Sequence, residues 1–253
     1  MNAPGPELAI NPALVIQRQA IAPGHDCLVI DDFLCDPDAA VEWAEQHAAD
    51  FVMPERSYPG LLLPIDEAAA QPLHAFVRSR LSREFGFLRG DLELYTQYSI
   101  ATLQPDEFSW IQALPHSDPQ LAPGRANYAG LLYLFHDAAL GGTGFYRWRD
   151  PDYWGRMTER QRDDPEAGLD ELRARFELFR GPLAYPGDSN EVVERLALVP
   201  ARWNRLICYS GDLPHSACIP EPALLSPEPR RGRLTLNCFA SVWPKTDGKT
   251  RHQ

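Results

Sequence analysis

The stretch Asn127-Tyr128-Ala129-Gly130-Leu131-Leu132-Tyr133-Leu134-Phe135 is apolar at almost every position and lacks the alternation of a strand with one face in water. Such a run is expected of a strand covered on both faces. From about Asp91 onward, short runs of strand character separated by turn residues surround it. They are Glu93–Ile100, Trp110–Ala113, the segment ending at Trp148 behind the Gly141-Gly142 turn, Arg195–Val199, Arg205–Tyr209, His215–Ile219 and Leu234–Val242. Many short strands with turn signals between them indicate a sandwich or barrel.

The N-terminal part reads differently. After a Pro-rich stretch over residues 1–12, Ala13–Ala20 and Cys27–Ile30 read as short strands around a Pro23-Gly24 turn. Asp36 has the character of an N-cap, with Pro37 at the first helical position and Ala40, Val41, Trp43, Ala44 and His47 at helical spacing. Ser57-Tyr58-Pro59-Gly60 reads as a turn, and Asp66–Phe85 as a second amphipathic helix carrying Leu73, Phe76, Val77 and Leu81 on one side. His47 and His74 are read as structural. Between the strands, residues 150–192 form a charged, partly helical insert with a helix over Glu166–Phe179 and turns at Pro182 and Pro186-Gly187. Insertions of this length beside a site are often functional. Two readings stay open, a lid that closes over the barrel mouth and a solvated helix on the far side of a sheet. The expectation is one domain over residues 1–253, with helical support at 1–90 and the insert at 150–192.

Composition narrows the function classes. A net charge of −11 and a pI near 5.1 argue against nucleic acid, because neutralising phosphates takes clustered Lys and Arg. The five cysteines are odd in number and form no C-x-x-C pair, and the N-terminus reads as no secretory leader. A reducing cytoplasm is the expected location. No apolar run approaches the roughly 18 residues of a membrane span, so no membrane partner is expected.

The chemistry-bearing residues fall in three places: Pro115-His116-Ser117-Asp118, Leu213-Pro214-His215-Ser216 behind the Gly211-Asp212 turn, and Arg233 in Arg233-Leu234-Thr235-Leu236-Asn237. Two imidazoles and one carboxylate can hold Fe(II) while leaving adjacent positions open. A guanidinium on a following strand offers a carboxylate two parallel hydrogen bonds that an ammonium does not reproduce. An isolated H-x-D is a weak signal; the order and spacing of all four residues strengthen it. Arg231 competes with Arg233, since two residues apart on a strand share a face, although Gly232 suggests that the strand starts only after it. His136 and Asp137 are adjacent, point to opposite faces of a strand and make a poor chelate. The Gly141–Gly144 glycines have no helix start or G-K-[ST] and read as a turn, not a phosphate loop.

The order His116-x-Asp118, Tyr133, Gly141-Gly142, Gly211-Asp212-x-x-His215 and Arg233-Leu234-Thr235-Leu236 resembles the Fe(II)- and 2-oxoglutarate-dependent dioxygenases of the prolyl-4-hydroxylase type. The resemblance covers roughly residues 90 to 243, and Val29–Leu34 followed by a helix is similar to the N-terminal support of those enzymes. It implies a mainly β fold with flanking α-helices and a double-stranded β-helix, or jelly-roll, core. It implies Fe(II) on His116, Asp118 and His215, and 2-oxoglutarate on Arg233 with the hydroxyl of Tyr133. Tyr98 or Tyr95 are alternatives for that hydroxyl, Thr235 and Asn237 share the face of Arg233, and Arg147, Trp148 and Arg149 are candidates to contact substrate. The implied reaction is hydroxylation by dioxygen of a protein residue, peptide, amino acid or small metabolite. Oligomeric state stays open. Two other classes remain, a cupin-type metal enzyme that does not use 2-oxoglutarate and a jelly-roll binding module without catalysis.

Overall fold

The computed structural model describes residues 5–54, 58–86, 92–118, 124–163 and 168–243. A hairpin of β1 (Gln17–Ala22) and β2 (His25–Ile30) leads into α1 (Pro37–Gln46), and β3 (Gly60–Pro64) precedes α2 (Glu67–Phe76). A π turn at Val77–Leu81 carries that helix on into α3 (Ser82–Phe85). Then come β4 (Glu93–Ala101), β5 (Ala126–Tyr133), β6 (Gly142–Trp148), α4 (Pro151–Asp163), α5 (Leu169–Arg175), β7 (Val193–Val199), β8 (Arg205–Ser210), β9 (His215–Cys218) and β10 (Arg233–Val242). Side-chain caps start both long N-terminal helices. Asp36 accepts from the Ala39 amide at 3.0 Å and Asp66 from the Ala69 amide at 2.7 Å, each satisfying a donor that the first turn leaves free.

The strands form two antiparallel sheets, of seven strands in the order β1-β2-β8-β5-β10-β4-β3 and of three in the order β7-β6-β9. An isolated bridge between His116 and His215 extends the smaller sheet on the free side of β9. From β4 to β10 the chain passes repeatedly between the two sheets, which is the jelly-roll topology. Strand β5 lies between β8 and β10, and the apolar run read from the sequence is explained by burial on both sides. On one side Leu132, Leu206, Leu234, Leu236 and Cys238 pack under the helices with Val41, Leu73, Phe76 and Val77. On the other, Ala129, Tyr133, Phe145, Ile207 and Tyr209 fill the space between the sheets. Each large apolar side chain buried in this way contributes roughly 1.5–3 kcal/mol.

One expectation needs correction, and one open reading is narrowed. Trp110–Ala113 is a short 3-10 helix, not a strand, because the Gln112 side chain turns back to accept from the Ser109 amide at 2.9 Å and holds the turn closed. Of the two readings of the insert, its described helices favour the far side of a sheet, while Tyr185 beyond them packs on Ala101 and Ile219 and donates to the Leu103 carbonyl at 2.9 Å. The helices carry Tyr153, Trp154, Met157, Leu172, Phe176 and Phe179, which pack on Tyr146, Val193 and Cys218. Tyr146 and Cys218 lie on the face of the small sheet opposite to Phe145 and His215, so the helices back the sheet from outside. The helix expected over Glu166–Phe179 is α5 followed by a short turn at Glu177–Phe179, and residues 166–167 lie outside the described residues. Among the described residues no helix is long and apolar enough to cross a membrane.

The N-terminal hairpin is tied to the barrel by Asp31, which takes Arg205 through both carboxylate oxygens (2.6 and 3.0 Å) and Arg202 at 3.0 Å. The hydrogen bonds from Arg205 hold its carboxyl below the ordinary carboxylate range, against the opposing effect of burial. A carboxyl with a depressed folded-state pKa stabilises the fold at pH values above its unfolded pKa, and that stabilisation is lost as pH falls through the folded value. Asp31→Asn is therefore expected to cost about 1–3 kcal/mol at neutral pH. Urea unfolding as a function of pH checks this: the gap between parent and variant should close only below about pH 4.

Candidate metal centre

His116 and His215 are joined by two backbone hydrogen bonds, His116 N to His215 O at 3.0 Å and His215 N to His116 O at 2.8 Å. Two residues on, Asp118 N donates to Gly211 O at 2.8 Å, so the H-x-D segment runs against the turn that leads into β9. Strand alternation sends the His116 and Asp118 side chains to the same side. One ligand atom from each of His116, Asp118 and His215 then lies within 4.8 Å of the others. The imidazole rings are 4.5 Å apart, and His215 Nε2 is 3.8 Å from Asp118 Oδ1.

Several contacts set the orientation of these ligands. His215 Nδ1 lies 2.8 Å from the Leu213 carbonyl. Only an N–H satisfies a carbonyl, so the proton sits on Nδ1 and the Nε2 lone pair faces the cluster. The Tyr209 ring meets the His215 ring edge to face at 4.8 Å. Asn127 Nδ2 reaches the Asp118 carbonyl at 3.4 Å, and the Ser117 hydroxyl donates to the Asp212 carbonyl at 3.0 Å. Gly211 leaves the room that the carboxylate occupies, since a Cβ there would stand 2.3 Å from Asp118 Oδ2.

Electrostatically the cluster lacks a positive partner. Asp118 Oδ2 is buried and has no hydrogen bond among the described residues. Loss of hydration pushes the Asp118 carboxyl up to about 6, with His116 pulling it back down. Burial lowers both imidazoles to about 4, and at His116 the neighbouring His215 adds to the effect. His215 is 5% exposed, whereas His116 keeps part of its surface open to solvent. At neutral pH the set therefore presents two neutral imidazoles and a largely ionised, under-solvated carboxylate, the protonation states that metal ligands require. The orphaned carboxylate oxygen, the space kept by Gly211 and the converging donors all fit a divalent metal ion.

Arg233 stands at the other end of the wall formed by β10. It is 3% exposed, and it donates to the carbonyls of Leu140 (3.0 Å) and Gly142 (3.1 Å). Among the described residues no carboxylate pairs with it. Arg231, the competing anchor, is exposed and lies 3.6 Å from Glu228. Tyr133 faces the same interior as Arg233, through its register with Thr235, and its ring centre is 5.9 Å from the guanidinium carbon. Its hydroxyl shares a 2.7 Å hydrogen bond with Thr143. Thr235 is buried on this wall, 3.5 Å from the Ser99 carbonyl.

Tyr98 is not brought to the site. It is in register with Leu236 and so faces the helices, where its hydroxyl donates to the Ala40 carbonyl at 3.0 Å. Arg147 and Arg149 are held by Glu194 and the Asn190 carbonyl, and Trp148 stacks on Trp154 of the insert, so none of the three joins the ligand cluster. His136 stacks on Trp203, and His74 bonds Thr96 at 2.9 Å.

One residue was missed by the sequence reading. The Tyr58 hydroxyl is buried beside Ser99 and in the field of Arg233, with no well-formed hydrogen bond among the described residues. Pro59 accepts from Thr102 and Leu103 at the end of β4, where Ala101 is in register with Arg233. Read only as a turn residue, Tyr58 carried no signal of this placement.

Metal titration followed by calorimetry checks the centre. His215→Ala and Gly211→Ala should each weaken binding of one divalent ion by about tenfold or more while the protein stays folded, the first by loss of a ligand and the second by displacing the Asp118 carboxylate. Unchanged affinity in both variants would contradict the assignment.

A search among curated proteins finds no match. Similar solved structures include EvdO2 from Micromonospora carbonacea var. aurantiaca, with 11% identity, 89% of each chain covered and a TM-score of 0.43. Another is SnoN from nogalamycin biosynthesis, described as a non-heme alpha ketoglutarate dependent epimerase, with 13% identity, 89% of this chain and 86% of that one covered and a TM-score of 0.45. A third is HygX from Streptomyces hygroscopicus with nickel, 2-oxoglutarate and hygromycin B bound, with 13% identity, coverage of 89% and 84% and a TM-score of 0.41. At these identities and TM-scores the likenesses carry no argument about the chemistry of this chain. A family profile, by contrast, matches residues 12–240. The chain belongs to the family described as a family of unknown function, DUF6445.

Proposed function

We propose that this protein is a non-haem Fe(II)- and 2-oxoglutarate-dependent oxygenase whose outcome is hydroxylation of its substrate. The observation that carries this reading is the pairing, inside one barrel, of a two-histidine, one-carboxylate cluster with a buried guanidinium that has no carboxylate partner among the described residues. Two histidines and a carboxylate that leave positions open suit Fe(II). A buried cation without a counter-ion is costly, and a bound carboxylate removes the cost. 2-Oxoglutarate meets both demands, with a 2-oxo acid end for the metal and a distal carboxylate for the cation. A metal enzyme without this co-substrate leaves Arg233 without a task.

His116, Asp118 and His215 hold the metal, and the Leu213 carbonyl keeps His215 in the right tautomer. Fe(II) held there supplies the capacity to activate dioxygen as 2-oxoglutarate is converted to succinate and carbon dioxide. Arg233, steadied by the carbonyls of Leu140 and Gly142, turns toward the distal carboxylate. The Tyr58 hydroxyl, beside Ser99 and in the field of Arg233, donates to the same carboxylate, and the Tyr133 hydroxyl already shares a hydrogen bond with Thr143. Apolar walls of Tyr133, Phe135 and Phe145 limit water around the site.

A succinate-release assay with varied 2-oxoglutarate tests the assignment. Arg233→Lys keeps the charge but loses the fork, so KM for 2-oxoglutarate should rise about tenfold or more with metal still bound. Tyr58→Phe should raise it by a smaller factor, on the order of fivefold, and Tyr98→Phe should leave it unchanged. An unchanged KM in Arg233→Lys, with the loss in Arg231→Lys instead, would move the anchor to Arg231.

A further inference from the structure

The inner face of β4 and β10 carries side chains that binding of metal and 2-oxoglutarate does not use. Register pairs Tyr95 with Phe239 and Gln97 with Asn237 across the two strands. Alternation puts these four on the face of Arg233 and Thr235, while Leu94, Leu234, Leu236 and Cys238 turn to the helix-side core. The Tyr95 and Phe239 rings are 6.4 Å apart and inclined by only 21°. Tyr95 is 48% exposed and Trp243, directly beyond the end of β10, is 42% exposed; no other aromatic side chain among the described residues is as open. Exposed aromatic side chains gathered on one wall mark a binding surface more often than a packing defect.

The polar groups of this wall are also incompletely used. Asn237 gives its amide N–H to the Ser99 hydroxyl at 2.9 Å, but among the described residues its Oδ1 is buried with no partner, and so is the Ser241 hydroxyl further out. Buried polar atoms in native proteins are almost always paired, so these unpaired ones point to a missing ligand. The wall reaches the metal centre through Asn127, which is in register with Ser241, contacts the Asp118 carbonyl and accepts from the Gly211 amide. At the outer end Arg125 pairs with Glu93 at 2.8 Å and also lies over the Trp243 ring, 5.2 Å from its centre.

We infer that this wall seats the primary substrate and takes an uncharged ring bearing hydroxyl groups, a glycoside or similar cyclic polyol. The inference rests on the oxygenase reading for the assignment of Arg233 to the co-substrate and for what happens after binding. Flat aromatic faces pack on the C–H face of such a ring, and its hydroxyls can donate to Asn237 Oδ1 and exchange hydrogen bonds with Ser241. Charged substrates fit poorly. With Arg125 neutralised by Glu93 and Arg233 given to the co-substrate, an amino acid or phosphorylated ligand finds no counter-charge here, and a net charge of −11 disfavours anions further. An extended peptide has no strand to join along β10, which β4 and β5 pair on its two sides.

Saturation-transfer NMR on the Ni(II)- and 2-oxoglutarate-loaded protein, with methyl glycosides and inositol as probes and free amino acids and short peptides as comparison arms, tests this. Glycosides or inositol should bind, and Tyr95→Ala and Trp243→Ala should each weaken that binding about tenfold while 2-oxoglutarate affinity stays at the parent value. Binding by the amino-acid or peptide arm alone, binding by no arm, or ring binding unaltered in both variants would overturn the inference. Affinity for 2-oxoglutarate is read in the same samples by calorimetry. Ring binding without 2-oxoglutarate binding would retire the oxygenase reading and keep the substrate site, and the converse would retire the site alone.

Discussion

Everything chemical in this molecule depends on one backbone bridge, the pair of hydrogen bonds between His116 and His215. It joins an irregular segment before β5 to the first residue of β9 and brings together two histidines that the chain separates by four strands. Because both ends are fixed by strand geometry, the ligands do not depend on loop conformation for their placement. The Asp118 amide bond to Gly211 then fixes the third ligand on the same register. Were this bridge to slip by one residue, His116 and Asp118 would turn to the opposite face.

Two unbalanced charges follow from the way the barrel is packed. Asp118 keeps a buried oxygen with no donor, and Arg233 keeps a buried charge with no carboxylate partner among the described residues. Neither relieves the other, for no ion pair joins them. Each tolerates its position because it is held otherwise, Asp118 by its backbone and Arg233 by two carbonyls. A cation at one and an anion at the other complete the interior, and that electrostatic demand is the physical basis of the functional reading.

Much of this was legible in the sequence. The strands from Glu93 to Val242 were marked by alternation and by turn residues, and the triad by its order and spacing. The choice of Arg233 over Arg231 came from Gly232; in the structure Arg233 is buried and Arg231 exposed. What failed did so for definable reasons. Strand parity says that Tyr98 and Arg233 lie on opposite faces only once their register is known, and register is a property of two strands. The insert left a lid and a far-side helix both open, because position in the chain gives proximity to the site but not the face that the helices cover. Its aromatic residues, Tyr153, Trp154, Phe176 and Phe179, form a core of their own with the outer face of the small sheet, and the charges around them masked that core in the sequence. Tyr58 stood in what read as a turn, and only the crossing of Pro59 over the end of β4 brings its hydroxyl beside Arg233.

The most direct test of the central claim is anaerobic absorption spectroscopy of the Fe(II)-loaded protein during titration with 2-oxoglutarate. Chelation of the metal by the 2-oxo acid should produce a visible metal-to-ligand charge-transfer band that saturates at one equivalent of 2-oxoglutarate and is absent without iron. Tight binding of one Fe(II) with no such band at any 2-oxoglutarate concentration would contradict the account.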